Sequence, residues 1–245
     1  MINLSPSKIN TYKQCPFKYK CEIDTELRKK YRRETPPLVF GNLVHACLND
    51  LYKRTQKEDR SLQRLRDLFE QKFKANLTKH IDIFGSQENI ISYVEKAKKM
   101  FKNYAESDFF EQEPMLTEEF PKCLINENIE LRGKFDRVDF NKNKLTLIDY
   151  KTGKFREDEA DKFQVNLYEL LLSRYLPEYT VEEKILYYLD DNKTIRFPSE
   201  KDSLSETEGK LISIANKIDN DKELLPTQNN LCRYCDYKVI CPAFK

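Results

Sequence analysis

The stretch of residues 130–151, ELRGKFDRVDFNKNKLTLIDYK, constrains the fold most, because it has the pattern of two antiparallel strands joined by a polar turn. Strand-forming side chains recur over residues 129–138 and predict the first strand. The polar run 141–144 marks the reversal of the chain. Apolar residues from 145 to 148 then start a second strand, which ends at residues 149–151. The sequence therefore predicts a hairpin near the middle of the chain.

Charged side chains converge at the end of this hairpin. Successive side chains of a strand point to opposite faces, so Asp149 and Lys151 are expected to project from the same face. Asp136, on the neighbouring strand, can reach that face as well. Two carboxylates and a lysine at a strand end can hold a divalent cation and position a water beside it.

Three of the seven cysteines form a compact pattern near the C-terminus, Cys232-x2-Cys235-x5-Cys241. Three thiols make an incomplete tetrahedral site, so a fourth ligand must come from another part of the chain. The spacing alone is typical of zinc, because the CxxC pair is its commonest clip. An iron–sulfur cluster also uses four thiolates, and a cysteine followed by proline, as at Cys241-Pro242, recurs in such sites. The spacing leaves both alternatives open.

Length and charge limit the classes of function. A chain of 245 residues suits one sizeable domain. Residues 1–80 hold 18 basic and 9 acidic residues, which fits a polyanionic partner such as a nucleic acid. No apolar run approaches the roughly 20 residues of a membrane span, and the first residues lack the apolar stretch of a secretory signal. We therefore expect a cytoplasmic protein with no membrane partner, whose reduced cysteines bind metal or are buried.

The order of the predicted elements indicates an α/β protein with a mixed sheet. A helix is expected to start at Ser5-Pro6, with Ser5 as the N-cap, and a second near residue 40. Two amphipathic stripes between residues 53 and 115 predict a helical insertion. A short strand over residues 116–124 should lead into the hairpin, with more strands and a last helix after it.

Four short motifs stand in the order in which one known family carries them. They are GxxxH at residues 41–45, GKFDRVD at 133–139, IDYKTG at 148–153 and QxxxY at 164–168. Together with the opening LSPSKINTYKQCPFKY, residues 4–19, they resemble the RecB-like exonuclease branch of the PD-(D/E)xK nuclease superfamily. The resemblance implies a single nuclease domain over residues 1–245, with a restriction-endonuclease-like core in which helices flank a central mixed sheet.

The same resemblance assigns roles to the residues of these motifs. It implies that Mg²⁺ or Mn²⁺ is held by His45, Asp136, Asp149 and the backbone carbonyl of Tyr150. Asp136, Asp149 and Lys151 would be the catalytic residues, and Lys151 would orient the attacking water and stabilise charge on the phosphate.

The QxxxY motif would act from a neighbouring helix. Gln164 and Tyr168 are four residues apart, so they share one helix face. In the resembled family this pair helps to orient the site and the nucleic acid.

A distant cysteine completes the C-terminal pattern in the resembled family. Cys15 stands before a proline in the opening segment. The combination resembles the iron staple of AddAB-type helicase–nucleases and CRISPR-associated exonucleases, which implies a 4Fe–4S cluster that joins the two ends of the chain. Its ligands would be Cys15, Cys232, Cys235 and Cys241. Cys21, Cys47 and Cys123 match nothing in this pattern.

The sequence thus predicts a metal-dependent DNA exonuclease, with single-stranded DNA ends as the expected substrate. No GxxxxGKS or GxxxxGKT motif is present, so unwinding would need a partner such as a helicase or a CRISPR or repair protein. One alternative is a catalytically inactive nucleic-acid-binding scaffold of a helicase–nuclease complex. Another is a zinc-ribbon protein without nuclease activity, which leaves the central hairpin unexplained.

Overall fold

The computed structural model describes residues 1–158 and 160–244. The helices of these residues are α1 (Pro6–Gln14), α2 (Pro16–Ile23), α3 (Thr25–Tyr31), α4 (Pro36–Lys53), α5 (Leu62–Ala75), α6 (Leu77–Phe84), α7 (Gln87–Ala105), α8 (Lys162–Tyr175) and α9 (Ser203–Asn220). The strands are β1 (Ile2–Leu4), β2 (Pro114–Glu119), β3 (Lys122–Asn126), β4 (Ile129–Arg132), β5 (Phe135–Asn141), β6 (Lys144–Lys151), β7 (Thr180–Tyr188) and β8 (Lys193–Pro198). The chain is a mixed α/β protein, as predicted.

The chain divides into two compact units. The terminal unit comprises Met1–Arg33, Pro121–Gly133 and Asp202–Lys245. The central unit comprises Glu34–Phe120 and Lys134–Lys201. Each unit has its own sheet, and the terminal unit gathers segments from both ends of the chain.

The central unit is built on a five-stranded mixed sheet in the order β2-β5-β6-β7-β8. The predicted hairpin is formed by β5 and β6, whose last pair is Asn141 and Lys144. Lys142 and Asn143 between them have φ of 48° and 65°. Positive φ at both positions of a two-residue loop is the type I′ geometry that matches the twist of the flanking strands. The polar run at 141–144 therefore reverses the chain as expected.

A parallel pair follows the hairpin in the central unit. Strand β6 pairs in parallel with β7, and α8 makes the connection between them. Earlier in the chain, α4, α5, α6 and α7 pack with buried side chains of the sheet into one apolar core. The two stripes predicted between residues 53 and 115 thus belong to the helices that cover this core.

The terminal unit has a three-stranded sheet in the order β1-β4-β3. Strand β1 pairs in parallel with β4, which pairs antiparallel with β3. The Ser5 side chain caps α1 by accepting from the Lys8 N–H at 3.3 Å, as the sequence predicts. The Tyr12 hydroxyl donates to Asp221 at 2.9 Å and so links α1 to the end of α9.

Two strand predictions were wrong in the same way. The expected first strand of the hairpin is interrupted at residues 133–134, so that β4 and β5 belong to different sheets. The expected strand over residues 116–124 is likewise split into β2 and β3 at Phe120-Pro121. Proline cannot donate a backbone hydrogen bond and glycine weakens a strand, so both breaks fall at residues that disrupt a ladder.

Helix α4 also begins earlier than predicted, at Pro36 instead of near residue 40. A proline in the first turn loses no hydrogen bond there and has a backbone angle that suits the helix. None of the helices in residues 1–158 and 160–244 is both long enough and apolar enough to cross a bilayer.

Candidate active site

A histidine and a carboxylate meet beside the sheet of the central unit. His45 lies on α4, and its Nδ1 is 2.9 Å from Oδ1 of Asp136 on β5. The other oxygen of Asp136 accepts the backbone N–H of Tyr150 at 2.9 Å. The carboxylate is therefore fixed from two sides, by a helix and by the neighbouring strand.

The charges of this pair reinforce each other. Burial by itself lowers the pKa of His45, but the Asp136 carboxylate outweighs burial and raises that pKa above its ordinary value. Burial also opposes the charge on Asp136, yet the imidazole and the Tyr150 N–H outweigh it, and the pKa of Asp136 is lowered. A divalent cation that binds here must therefore compete with the proton on His45.

Asp149 and Lys151 lie two residues apart on β6 and contact each other. Lys151 Nζ is 2.6 Å from Oδ2 of Asp149. The contact is an ion pair whose angles fall outside those of a hydrogen bond, so this buried oxygen has no directed donor among the described residues. Burial raises the pKa of Asp149, and the Asp136 carboxylate adds to the rise despite Lys151. An incoming cation could bind this oxygen by displacing only the lysine.

Helix α8 brings Gln164 and Tyr168 to the same place. Lys151 donates to Oε1 of Gln164 at 3.3 Å, and the Gln164 amide donates to the Tyr168 hydroxyl at 3.3 Å. Burial raises the pKa of Tyr168, with the Asp149 carboxylate as a further cause, so this tyrosine is a neutral phenol at neutral pH. Gln164 thus holds the ammonium group of Lys151 from the side opposite to Asp149.

A glutamate that the sequence analysis missed also lies at this site. Glu118 on β2 has a carboxylate oxygen within 4.8 Å of ligand atoms of both His45 and Asp136. Its φ of 49° is unusual for a residue within a strand. Its side chain pairs with Lys134. No motif surrounds Glu118, and only the pairing of β2 with β5 brings it beside Asp136.

These side chains line one open cleft of the central unit. The residues that carry charge or a hydroxyl there are His45, Lys134, Asp136, Asp149, Lys151 and Tyr168. An imidazole nitrogen with several carboxylate oxygens is a donor set that suits Mn²⁺, and Mg²⁺ accepts the carboxylates. The residues present therefore fit the divalent cation that the sequence predicts, and Glu118 is a further available ligand.

Close packing holds α4 against the end of β6. A Cβ atom at Gly41 would lie 3.2 Å from the hydroxyl oxygen of Thr152, the residue after Lys151. The GxxxH motif therefore has a physical reason at both ends. The glycine lets the helix approach the strand, and the histidine four residues later points to Asp136.

Four cysteines line a separate cavity, which lies in the terminal unit. They are Cys15, Cys232, Cys235 and Cys241. The backbone N–H of Thr227 donates to Sγ of Cys15 at 3.4 Å, and that of Asn229 to Sγ of Cys232 at 3.3 Å. Cys21 does not line the cavity, and burial raises its pKa to about 11. Its thiol is therefore protonated at neutral pH, unlike the thiolate that binds a metal.

A family model of the PD-(D/E)XK nuclease superfamily matches residues 3–242. The chain belongs to this superfamily. Among curated proteins, this superfamily member is 23% identical over 203 residues to one of the subunits of an ATP-dependent helicase/deoxyribonuclease from Natranaerobius thermophilus. The match covers 71% of the chain but only 17% of that relative.

Solved structures show the same fold. The crystal structure of a candidate exonuclease from Eubacterium rectale has a TM-score of 0.56 to this nuclease-superfamily chain, at 14% sequence identity. The match covers 96% of the chain and 87% of that structure. At this identity the likeness concerns the fold alone.

Proposed function

We propose that this chain is a metal-dependent DNA exonuclease of the RecB-like branch. The observation that carries the proposal is the convergence of His45, Asp136, Asp149 and Lys151 in one cleft of a PD-(D/E)XK superfamily member. Every position that the resembled family uses for the cation and the water is filled. A catalytically inactive scaffold would not need this set, so the active enzyme is the better proposal.

The proposed ligands of the cation are His45, Asp136, Asp149 and the backbone carbonyl of Tyr150. Bound there, Mg²⁺ or Mn²⁺ supplies Lewis-acid polarisation of the scissile phosphate and lowers the pKa of a bound water. Asp136 is held in place for this role by the Tyr150 N–H, at 2.9 Å. Glu118 offers one more carboxylate on the opposite strand.

Lys151 acts on the attacking water and on the charge that develops on the phosphate. When the cation takes Oδ2 of Asp149, the ammonium group loses its closest partner and keeps Gln164, at 3.3 Å. Gln164 and Tyr168 then orient the lysine toward the substrate. Water supplies the nucleophile, so no covalent intermediate with the protein is required.

We also propose that the four cavity-lining cysteines hold a 4Fe–4S cluster. Neighbouring sulfurs around a single zinc ion lie roughly 3.8 Å apart, as follows from the Zn–S bond length. Among the described residues, no three cysteine sulfurs lie mutually within 4.8 Å. This wider spacing suits a four-iron cluster better than one zinc ion.

The cluster would tie both ends of the chain into the terminal unit. Cys15 and Cys232 are 217 positions apart. Closing such a loop costs roughly 5 kcal/mol of chain entropy, which is comparable with the net stability of a typical domain. Binding of the cluster should therefore be coupled to folding of this unit.

The proposed substrate is the end of a single DNA strand, and the proposed setting is repair, recombination or CRISPR-type processing. The relative from Natranaerobius thermophilus is named as a subunit of a helicase/deoxyribonuclease. By analogy, we propose a helicase or a CRISPR or repair protein as the partner that supplies single strands.

Linear and circular substrates test this proposal. The purified protein should shorten end-labelled linear single-stranded DNA with Mn²⁺ or Mg²⁺ and not with a chelator. A covalently closed single-stranded circle of the same sequence should resist it, because the circle offers no end. Cleavage of the circle at the same rate would show endonuclease activity, and inertness toward both substrates would contradict the proposed enzyme.

A further inference from the structure

A fully buried guanidinium lies in the core of the central unit, next in sequence to Asp136. Arg137 has no exposed surface. Its Nε donates to Asp139 at 2.6 Å, and one terminal nitrogen donates to the backbone carbonyl of Gln112 at 2.8 Å. The other terminal nitrogen donates to the hydroxyls of Tyr52, at 2.9 Å, and Tyr104, at 2.7 Å.

The donors fix the direction of a hydrogen-bond chain. Arginine can only donate, so the hydroxyls of Tyr52 and Tyr104 both accept from it. Tyr52 spends its own proton on a backbone carbonyl, that of Phe110 at 3.1 Å. Tyr104 must then donate to Tyr52, 2.7 Å away, and Tyr150 must donate to Tyr104, 3.1 Å away.

Burial raises the pKa of each of the three tyrosines, so all three are neutral phenols at neutral pH. A buried charge with an incomplete set of partners is costly, so such a network tolerates little displacement. The far end of the chain is therefore as firmly held as the arginine itself.

That far end is Tyr150, which stands between Asp149 and Lys151. Its N–H fixes Asp136 and, under the proposed function, its carbonyl binds the cation. We infer that Arg137, through Tyr104 and Tyr52, is a positioning network that sets the affinity of the site for its divalent cation. The inference rests on the proposed function for the role of the Tyr150 carbonyl.

Removing one hydroxyl from the middle of the chain tests this inference. Tyr104→Phe leaves both Arg137 and Tyr150 without a partner. Partners behind the direct ligands typically contribute 10- to 100-fold to metal affinity, so we expect at least about a tenfold weaker affinity for Mn²⁺. The measurement is electron paramagnetic resonance of free Mn²⁺, without DNA, so it does not depend on activity.

Tyr187→Phe is the matched control. Tyr187 is equally buried and packs beside both Tyr104 and Tyr150. Its hydroxyl instead bonds Asn103 and Asn192, outside the network. This variant should lose stability in the same way as Tyr104→Phe, while its Mn²⁺ affinity stays within about twofold of the parent protein.

The outcomes separate the inference from the proposed function. Equal Mn²⁺ affinity in the two folded variants would overturn the positioning network, even if the parent protein cleaves DNA. Absence of Mn²⁺ binding by the parent protein would overturn it as well. A selective loss of affinity in Tyr104→Phe, in a parent protein that binds Mn²⁺ but cleaves nothing, would support the network and contradict the nuclease. If Tyr104→Phe fails to fold, Tyr52→Phe replaces it, with the same expected loss and the same control.

Discussion

The glycine of the GxxxH motif offers a quantitative test of how the site is assembled. Gly41 lies within α4, where replacement of glycine by alanine ordinarily stabilises a helix by about 1 kcal/mol. At this position the new methyl group would meet the Thr152 hydroxyl at 3.2 Å, a few tenths of an ångström closer than an ordinary contact. Gly41→Ala therefore sets a gain in helix stability against overpacking.

The two effects have different magnitudes. Overpacking typically costs about 1–3 kcal/mol, so Gly41→Ala should leave the protein between roughly 0 and 2 kcal/mol less stable. Gly209→Ala in α9 is the control, because nothing lies within 4 Å of its new methyl group. That variant should be about 1 kcal/mol more stable than the parent protein.

Activity should fall as well in Gly41→Ala. Thr152 follows Lys151, and a displacement of 1 Å at a reacting group can cost about 100-fold in rate, so a shift of a few tenths should cost roughly three- to tenfold. Denaturant unfolding and cleavage of end-labelled DNA measure the two effects. In a Thr152→Ala background the clash is absent, and Gly41→Ala should then stabilise the protein. A Gly41→Ala protein as stable as Gly209→Ala and fully active would refute the close approach.

Two further predictions concern the metal sites. Because the pKa values of His45 and Asp149 are raised, protons compete with the cation, so Mn²⁺ affinity should rise with pH between about 5.5 and 8. The rise should be shallower in Asp149→Asn, and an affinity independent of pH would contradict the proton competition. Cys15→Ser should lose its iron after anaerobic purification and unfold more easily, while Cys21→Ser keeps about four irons per chain. Stoichiometric zinc without iron in the parent protein would overturn the cluster.

The local features of the site were predictable because they depend on short-range chemistry. A polar run between two apolar strands predicted the hairpin, and the alternation of side chains along a strand placed Asp149 and Lys151 on one face. The proximity of His45 to Asp136, 91 positions apart, came from the family resemblance and not from any local pattern.

Other features depend on which strands become neighbours, and nothing local encodes that choice. Glu118 reaches the site only because β2 pairs with β5, and its neighbours in sequence carry no motif. The breaks at residues 120–121 and 133–134 assign adjacent strands to different sheets, although their side chains alone read as continuous strands. The tyrosines around Arg137 come from three separate elements, so only the folded chain shows their network.

The most direct measurement of the central claim compares cleavage with metal binding in two variants of β6. Asp149→Asn removes a proposed ligand, so it should weaken Mn²⁺ binding and abolish cleavage of end-labelled single-stranded DNA. Lys151→Met removes no ligand, so it should abolish cleavage while Mn²⁺ still binds. Asp219→Asn, which changes an exposed carboxylate of α9, should behave like the parent protein. Undiminished cleavage by a correctly folded Asp149→Asn protein would contradict the proposed site.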